Sequence, residues 1–196
     1  MSEHAFLSQY RLVLASGSPR RRAILQQVGI VADVIPSKFE ENLPKSSFPS
    51  PVEYVTATAR GKACDVFSEH QDAVVIGADT VVVIDGKILE KPRDVQCARD
   101  MLGELSGQTP HVITGVWVCY KEKQVMFHVE SEVKIADLSP EFIEWYVDTG
   151  EPMDKAGAFG IQGKGALLVE KVHGCYFNVM GLPIQRLFTE LKNLLM

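Results

Sequence analysis

The fold of this chain is decided near its N-terminus by the stretch Arg11-Leu-Val-Leu-Ala-Ser-Gly-Ser-Pro-Arg-Arg-Arg22. Residues 11–15 form an apolar run of strand length. Ser18 can then cap a helix that Pro19 begins, because a proline in the first helical turn loses no intrahelical hydrogen bond. An apolar helical stripe follows and ends at the stop signal Gly29. The stretch therefore predicts a strand, a tight loop and a helix.

Strands and helices intermingle along the rest of the chain. Helices are predicted to begin at the caps Ser50, Asp94 and Ser139, and a β-branched run over residues 73–77 predicts a buried strand. Asp85-Gly86 is typical of a hairpin turn. This intermingling favours the α/β or α+β class. The remaining predicted elements are strands over residues 32–39, 111–120, 124–137 and 166–172 and a helix over residues 183–195.

Composition describes an ordinary globular protein. With 196 residues, 46% of them hydrophobic, the chain can bury a substantial core as one domain over residues 1–196 or as two closely joined lobes. The formal net charge of -5 argues against nucleic-acid binding, because there is no cationic surplus for a long phosphate backbone. No apolar run is long enough to span a membrane, and the spacing of the four cysteines indicates reduced thiols. We therefore expect a soluble, cytoplasmic protein.

The loop Ser16-Gly-Ser-Pro-Arg-Arg21 is the first candidate binding segment. A loop of small residues that leads into a helix N-terminus presents unpaired backbone N–H groups and the positive end of the helix dipole. Arginines there add planar donors that match phosphate oxygens. The alternative is an ordinary N-cap followed by a solvated basic turn, and the loop matches neither a Walker motif nor a dinucleotide fingerprint.

The second candidate is Gly77-Ala-Asp-Thr80, where Asp79 is predicted at the end of a very apolar strand. A carboxylate in that position is costly unless it is paired or binds a metal. The alternative is a turn-forming aspartate that bonds its own backbone. Lys91 follows the next hairpin and could return to the same end of the sheet.

The third candidate is the glycine-rich segment over residues 150–165, predicted to be irregular. A long irregular segment in a compact domain is usually functional or mobile. Asp154, Lys155 and Gln162 offer an acceptor, a cation and an amide that could read a base. The histidines lack zinc-site spacing, so a metal would be a hard cation, with Mg²⁺ the natural choice. The candidate metal ligands are Asp79, Glu40, Glu41 and Asp154.

Taken together, these segments resemble the Maf family of nucleotide pyrophosphatases over roughly residues 11–190. The resemblance is carried by LASGSPRR at residues 14–21, GADT at 77–80, LEKPRD at 89–94 and GEPMDKAGAFGIQ at 150–162. It implies an α/β fold with an elongated mixed central sheet flanked by helices and a cleft, similar to inosine triphosphate pyrophosphatase. Residues 1–10 extend beyond the usual start of the family.

The resemblance also implies roles for individual residues. Asp79 matches the general base of the family, and the positions that determine substrate specificity match Arg20, Thr80 and Gln162. The implied cofactor is a divalent cation, Mg²⁺ first, with Mn²⁺ or Co²⁺ as alternatives, and the implied assembly is a homodimer. The positions implied near phosphate are Ser16, Arg21, Lys62, Lys91 and Lys155, and those implied near metal are Glu41, Asp79 and Asp154.

The implied activity is hydrolysis of a nucleoside triphosphate to the monophosphate and pyrophosphate. The implied role is either house-cleaning, with modified pyrimidine nucleotides as the substrates, or control of the normal nucleotide pools. The Ser-Pro-Arg-Arg sequence resembles the branch that acts on dTTP and UTP, since the branch that acts on N7-methyl-GTP tends to carry tryptophan where Arg20 stands. Phe159 replaces a tyrosine often found in the family. The alternatives are N7-methyl-GTP hydrolysis and a non-catalytic, nucleotide-binding regulator of cell division.

Overall fold

The structure, a computed structural model, describes residues 5–196, and residues 1–4 lie outside that range. The predicted extension over residues 1–10 is therefore described only from residue 5, where Ala5–Gln9 forms a 3-10 turn. Leu7 is buried, and the Tyr10 hydroxyl donates to the carbonyl oxygen of Leu195 at 3.0 Å. The described part of the extension is thus anchored on the folded chain.

Within residues 5–196, seven strands form one mixed sheet with the order β2-β1-β3-β5-β6-β7. The strands are β1 (Leu12–Leu14), β2 (Asp33–Val34), β3 (Val74–Ile84), β4 (Lys87–Leu89), β5 (His111–Tyr120), β6 (Lys123–Ile135) and β7 (Val169–His173). β1 is parallel to β2 and β3, whereas β4 is antiparallel to β3 and β7 is antiparallel to β6. The expected α/β class with a mixed sheet is confirmed.

The described part of the chain also contains six α-helices, α1 (Pro19–Gln27), α2 (Pro51–Glu69), α3 (Val95–Leu105), α4 (Pro140–Asp148), α5 (Tyr176–Val179) and α6 (Ile184–Leu195). The predicted helix starts are confirmed, because the side chains of Ser18, Ser50, Asp94 and Ser139 each accept a hydrogen bond from the N–H three residues later. Across residues 5–196 we find no helix with the length and apolar character that a bilayer crossing requires.

The chain divides into two compact units. Unit 1 comprises residues 1–79, 114–128 and 181–196, and unit 2 comprises residues 80–113 and 129–180. A core cluster of unit 1 joins β1, β3 and α2 through Val13, Ala15, Val66, Ala73 and Val75. A core cluster of unit 2 includes Val82, Leu102, Leu105, Val133 and Tyr146.

The prediction that a strand ends before Asp79 is wrong, because β3 runs without interruption from Val74 to Ile84. Asp79 can remain inside the strand since its charge is paired with Lys62, as described below. The predicted hairpin is confirmed at the end of β3, where Asp85 and Gly86 have φ angles of 48° and 77°. Two positive φ angles at the central positions are those of a type I′ turn.

Two other segments differ from the sequence-based expectation. The strand predicted over residues 32–39 is reduced to β2, because Pro36 has no N–H to continue a ladder. Residues 150–165 are not irregular: 3-10 turns occupy Glu151–Asp154, Ala156–Ala158 and Gly163–Leu168. The last of these turns covers the start of the strand predicted over residues 166–172, so β7 begins only at Val169.

Candidate active site

The central feature of unit 1 is a lysine placed between two carboxylates. Lys62 Nζ lies 2.8 Å from Asp79 Oδ1 and 2.8 Å from Glu41 Oε2. The Lys62 and Asp79 side chains are only 9% and 13% exposed, whereas the Glu41 side chain is 51% exposed. The Lys62 ammonium group therefore forms ion pairs with two carboxylates, the largely buried Asp79 and the solvent-facing Glu41.

The close packing of α2 on β3 makes this arrangement possible. A Cβ added at Gly77 would lie 2.3 Å from the Ala59 carbonyl oxygen and 2.7 Å from the Ala63 nitrogen, so only glycine permits the helix to approach this closely. Gly77 and Asp79 are two residues apart in the strand and therefore share a face. Lys62 is adjacent to Ala63 in the helix that covers this face, and its side chain reaches Asp79.

Arg21 is a second buried cation of the same unit. Its Nε donates to the Gly181 carbonyl oxygen at 2.7 Å, and its Nη1 donates to Ser16 Oγ at 3.0 Å. Ser16 Oγ also accepts from the N–H of Ser18 at 3.3 Å. These bonds hold the predicted loop of small residues against the N-terminus of α1. Arg20, the neighbouring residue, is half-buried.

Electrostatics connect the arginine to the carboxylates. Burial lowers the pKa of Arg21 below its ordinary value, and the nearby charges of Asp79 and Glu41 act in the opposite direction. The positive charge of Arg20 lowers it further. Unit 1 therefore brings five of the predicted site residues into one electrostatically coupled group, with Lys62, Asp79, Glu41, Arg20 and Arg21 as its members.

Unit 2 holds the remaining predicted residues. Lys155 Nζ donates to Asp154 Oδ1 at 2.7 Å and to the Glu151 carbonyl oxygen at 2.5 Å. The N–H of Gly157 donates to the carbonyl oxygen of Glu90 at 3.1 Å, which ties the chain beside Lys91 to this segment. The exposed members of the set are Lys91, Asp154 and Gln162, and Thr80 is half-buried.

Glu151 organises this segment and was missed by the sequence reasoning. Its carboxylate accepts from the N–H groups of Lys164 at 3.1 Å and Gly165 at 2.9 Å and from the Tyr146 hydroxyl at 3.3 Å. Burial acts to raise the pKa of Glu151, but the N–H groups of Gly165 and Lys164 and the charge of Lys155 outweigh it, so the pKa lies below its ordinary value. Glu151 lies inside the stretch at 150–162 that carries the family resemblance, but its residue type alone does not distinguish it from a solvated glutamate.

Lys62 entered the predicted set only through the resemblance, although a signal was present in the residues. It lies on the face of α2 that also carries Val55, Ala59, Ala63 and Val66, and all of these are buried. A lysine on the apolar stripe of a helix requires a counter-charge, because an unpaired buried ammonium is very costly.

The carboxylates of unit 1 have the chemistry that a hard divalent cation prefers. Mg²⁺ is usually held by one or two carboxylates together with substrate phosphates and water, and Asp79 and Glu41 supply two such groups from different parts of the chain. Residues 5–196 contain no group of three or more histidine, cysteine, aspartate or glutamate side chains placed to hold a metal ion. The donor set fits a cation that completes its coordination with a ligand.

The fold and this cluster define an α/β protein that carries paired carboxylates and cations beside a helix N-terminus. Its family follows from comparison with known proteins. The chain belongs to the Maf-like protein family, whose model matches residues 11–194.

Two bacterial relatives share most of their length with this chain. The dTTP/UTP pyrophosphatase of Bacillus cytotoxicus is 46% identical over 182 residues, covering 93% of this chain and 94% of that protein. The dTTP/UTP pyrophosphatase of Clostridioides difficile is 49% identical over 183 residues, covering 92% of this chain and 93% of that protein. The solved structure of protein VC0702 from Vibrio cholerae matches 69% of this chain and 68% of its own at 14% identity, with a TM-score of 0.34, a likeness too remote to bear on the fold.

Proposed function

We propose that this protein is a nucleoside triphosphate pyrophosphatase that hydrolyses dTTP and UTP to the nucleoside monophosphate and pyrophosphate. The observation that carries the proposal is the contact of Lys62 Nζ with both Asp79 and Glu41, 2.8 Å in each case, within reach of the charge on Arg21. This cluster combines a proton acceptor with cations for phosphate. The names of the Bacillus and Clostridioides relatives support the substrate assignment.

Asp79 is the proposed general base. A water oxygen attacks the α-phosphorus, the bond from that phosphorus to the bridging oxygen breaks, and pyrophosphate leaves with the electron pair. Asp79 accepts one proton of the water, through Oδ2, since Oδ1 is engaged with Lys62. General-base assistance of this kind contributes roughly 10²–10⁴-fold to a rate.

The cationic groups are proposed to bind and neutralise the phosphates. The N-terminus of α1 and the side chains of Ser16 and Arg21 present donors at one place, and fixed donors aimed at developing charge need no reorganisation during the reaction. Lys62 adds a further charge beside Asp79. Lys91 and Lys155 of unit 2 are proposed to bind the phosphates. Arg20 of unit 1, with Thr80 and Gln162 of unit 2, is proposed to recognise the base.

A divalent cation, Mg²⁺ first with Mn²⁺ or Co²⁺ as alternatives, is the proposed cofactor. Asp79 and Glu41 would hold it, and Asp154 of unit 2 is the further candidate ligand. When bound, the cation neutralises phosphate charge and polarises the reacting phosphoryl group. The homodimer expected from the family resemblance stays a prediction, which sedimentation velocity can test.

The test is an assay of purified protein against a nucleotide panel with Mg²⁺, Mn²⁺ or Co²⁺, in which pyrophosphate and orthophosphate are measured separately. We expect dTTP and UTP to be the best substrates and pyrophosphate to be the direct product. Orthophosphate as the direct product would overturn the assigned bond. A preference for N7-methyl-GTP would overturn the assigned base, and binding without turnover would support a non-catalytic regulator.

Asp79→Asn tests the proposed base. We expect kcat to fall by roughly 10²–10⁴-fold while nucleotide binding stays measurable by calorimetry, because the neutral amide cannot accept the proton. Asp85→Asn is the matched control, since Asp85 lies exposed in the β3–β4 turn at a positive φ that asparagine tolerates. Near-normal turnover by Asp79→Asn would refute the assigned role.

A further inference from the structure

Asp65 is a carboxylate of α2 that the proposed mechanism does not use. Its Oδ2 accepts two hydrogen bonds, from the Ser37 hydroxyl at 2.8 Å and from the N–H of Lys38 at 2.8 Å. Ser37 Oγ in turn accepts from the N–H of Phe39 at 2.9 Å. One oxygen of Asp65 therefore holds the beginning of the segment over residues 37–41, directly and through Ser37.

The same segment makes a second contact with α2, at Gly61, one helical turn before Asp65. A Cβ added at Gly61 would lie 2.5 Å from the Phe39 ring, so the ring packs directly on the helix backbone at that residue. Gly61 and Asp65 are four residues apart and lie on the same face of the helix. Together they anchor three consecutive residues of the segment, Ser37, Lys38 and Phe39.

The segment over residues 37–41 places Glu41 beside Lys62 in the active-site cluster. Glu41 lies two residues after Phe39, and its Oε2 is 2.8 Å from Lys62 Nζ. The Glu41 side chain is half-exposed, so solvent screens its attraction to Lys62 and the ion pair alone holds this flexible side chain weakly. The position of Glu41 therefore also depends on the backbone that carries it, and Asp65 binds that backbone directly at the N–H of Lys38.

We propose that Asp65 is a positioning residue of the active site, which holds residues 37–41 on α2 so that the Glu41 carboxylate stands beside Lys62 and Asp79. This inference rests on the proposed function. The hydrogen bond from Ser37, followed by that from the N–H of Lys38, lowers the pKa of Asp65. The carboxylate consequently keeps its charge, and its two strong acceptor contacts, throughout the neutral pH range.

Four variants test the assignment. Asp65→Ala removes the acceptor, Ser37→Ala removes one donor and the contact to Phe39, and Asp65→Asn keeps an oxygen that can accept both bonds. Asp72→Ala is the matched control, because Asp72 is an exposed aspartate of the same unit whose carboxylate lies 3.7 Å from Arg11.

The first readout needs no activity. Amide hydrogen exchange of residues 38–42 should be about tenfold faster in Asp65→Ala and Ser37→Ala, with the amides of the α2 interior unchanged, as expected when a local opening loses one or two hydrogen bonds. Asp65→Asn should restore most of the protection. Unchanged exchange at residues 38–42 in Asp65→Ala would overturn the proposal.

The second readout is kinetic. In Asp65→Ala we expect kcat to fall about tenfold and the cation concentration for half-maximal activity to rise by a similar factor, while KM for the nucleotide changes little. A purely structural role would instead lower the active fraction without moving the cation dependence. Asp65→Ala with wild-type kcat and cation dependence would overturn the proposal. A wild-type protein with no pyrophosphatase activity would count against the proposed function, and hydrogen exchange would still decide whether Asp65 holds the segment.

Discussion

Lys62 Nζ and Asp79 Oδ1 lie 2.8 Å apart, and both side chains are almost wholly withdrawn from solvent. The pair joins α2 to β3 across 17 residues of sequence. Asp79 can therefore sit in the middle of an apolar strand, because the energetic cost of burying its charge is offset by a fixed counter-charge. The same contact places the proposed base beside a cation that can face phosphate.

Replacing Lys62 alone should destabilise the protein. Lys62→Met leaves Asp79 buried without its partner, and we expect the free energy of unfolding to fall by about 3 kcal/mol, measured by urea denaturation. Adding Asp79→Asn to this variant should recover part of the loss, since no uncompensated charge then remains. Both variants should be inactive. Equal stability of Lys62→Met and the wild-type protein would show that the Lys62–Asp79 ion pair does not stabilise the fold.

The close approach of α2 to β3 can be tested at Gly77. Gly77→Ala should lower the free energy of unfolding by about 1–3 kcal/mol, because its Cβ would meet the backbone of α2. Gly103→Ala is the control, since a Cβ at that exposed position of α3 meets no heavy atom within 4 Å. It should be neutral or stabilising by about 0.5–1 kcal/mol. A tolerated Gly77→Ala would contradict the packing.

The stability contribution of Glu151 should depend on pH. Its pKa is lowered in the folded protein, so the stabilisation is fully present above the unfolded value, about 4.3, and is lost as the pH falls through the lower folded value. Glu151→Gln should therefore lower Tm most at neutral pH, and the difference from wild type should shrink in acid.

Thermal unfolding over a pH series provides the measurement for Glu151. Glu122→Gln, at an exposed residue of the β5–β6 turn, is the control and should leave Tm almost unchanged at every pH. A difference between Glu151→Gln and wild type that grows as the pH falls would contradict the direction of the pKa change.

Cys119 should be unreactive in the folded protein. Burial, together with the neighbouring Cys64, raises the pKa of Cys119 to about 12, and the thiol, unlike the thiolate, is a poor nucleophile. At slightly alkaline pH we expect iodoacetamide to alkylate Cys119 at least about 100-fold more slowly than Cys97, as followed by peptide mass spectrometry. In urea the two rates should converge. Rapid labelling of native Cys119 would contradict its burial.

Much of the local structure could be predicted because it depends on neighbouring residues. The helix caps Ser18, Ser50 and Asp94 and the turn at Asp85-Gly86 each involve atoms within about one turn of chain, and all were confirmed. The wrong predictions concern features that depend on contacts between residues far apart in the sequence. β3 passes through Asp79 because Lys62 is there to pair with it, and residues 150–165 form turns around the Glu151 carboxylate.

The sequence by itself determined an α/β or α+β class, the helix starts at Ser18, Ser50, Asp94 and Ser139 and the segments that carry the candidate site, because periodicity, caps and turn residues act over a few positions. Only the tertiary structure decided that Lys62 stands between Asp79 and Glu41 and that Asp65 holds residues 37–41 on α2. These contacts join residues remote in the chain. They exist because glycines at 61 and 77 let a ring and a helix approach at distances that no sequence pattern encodes.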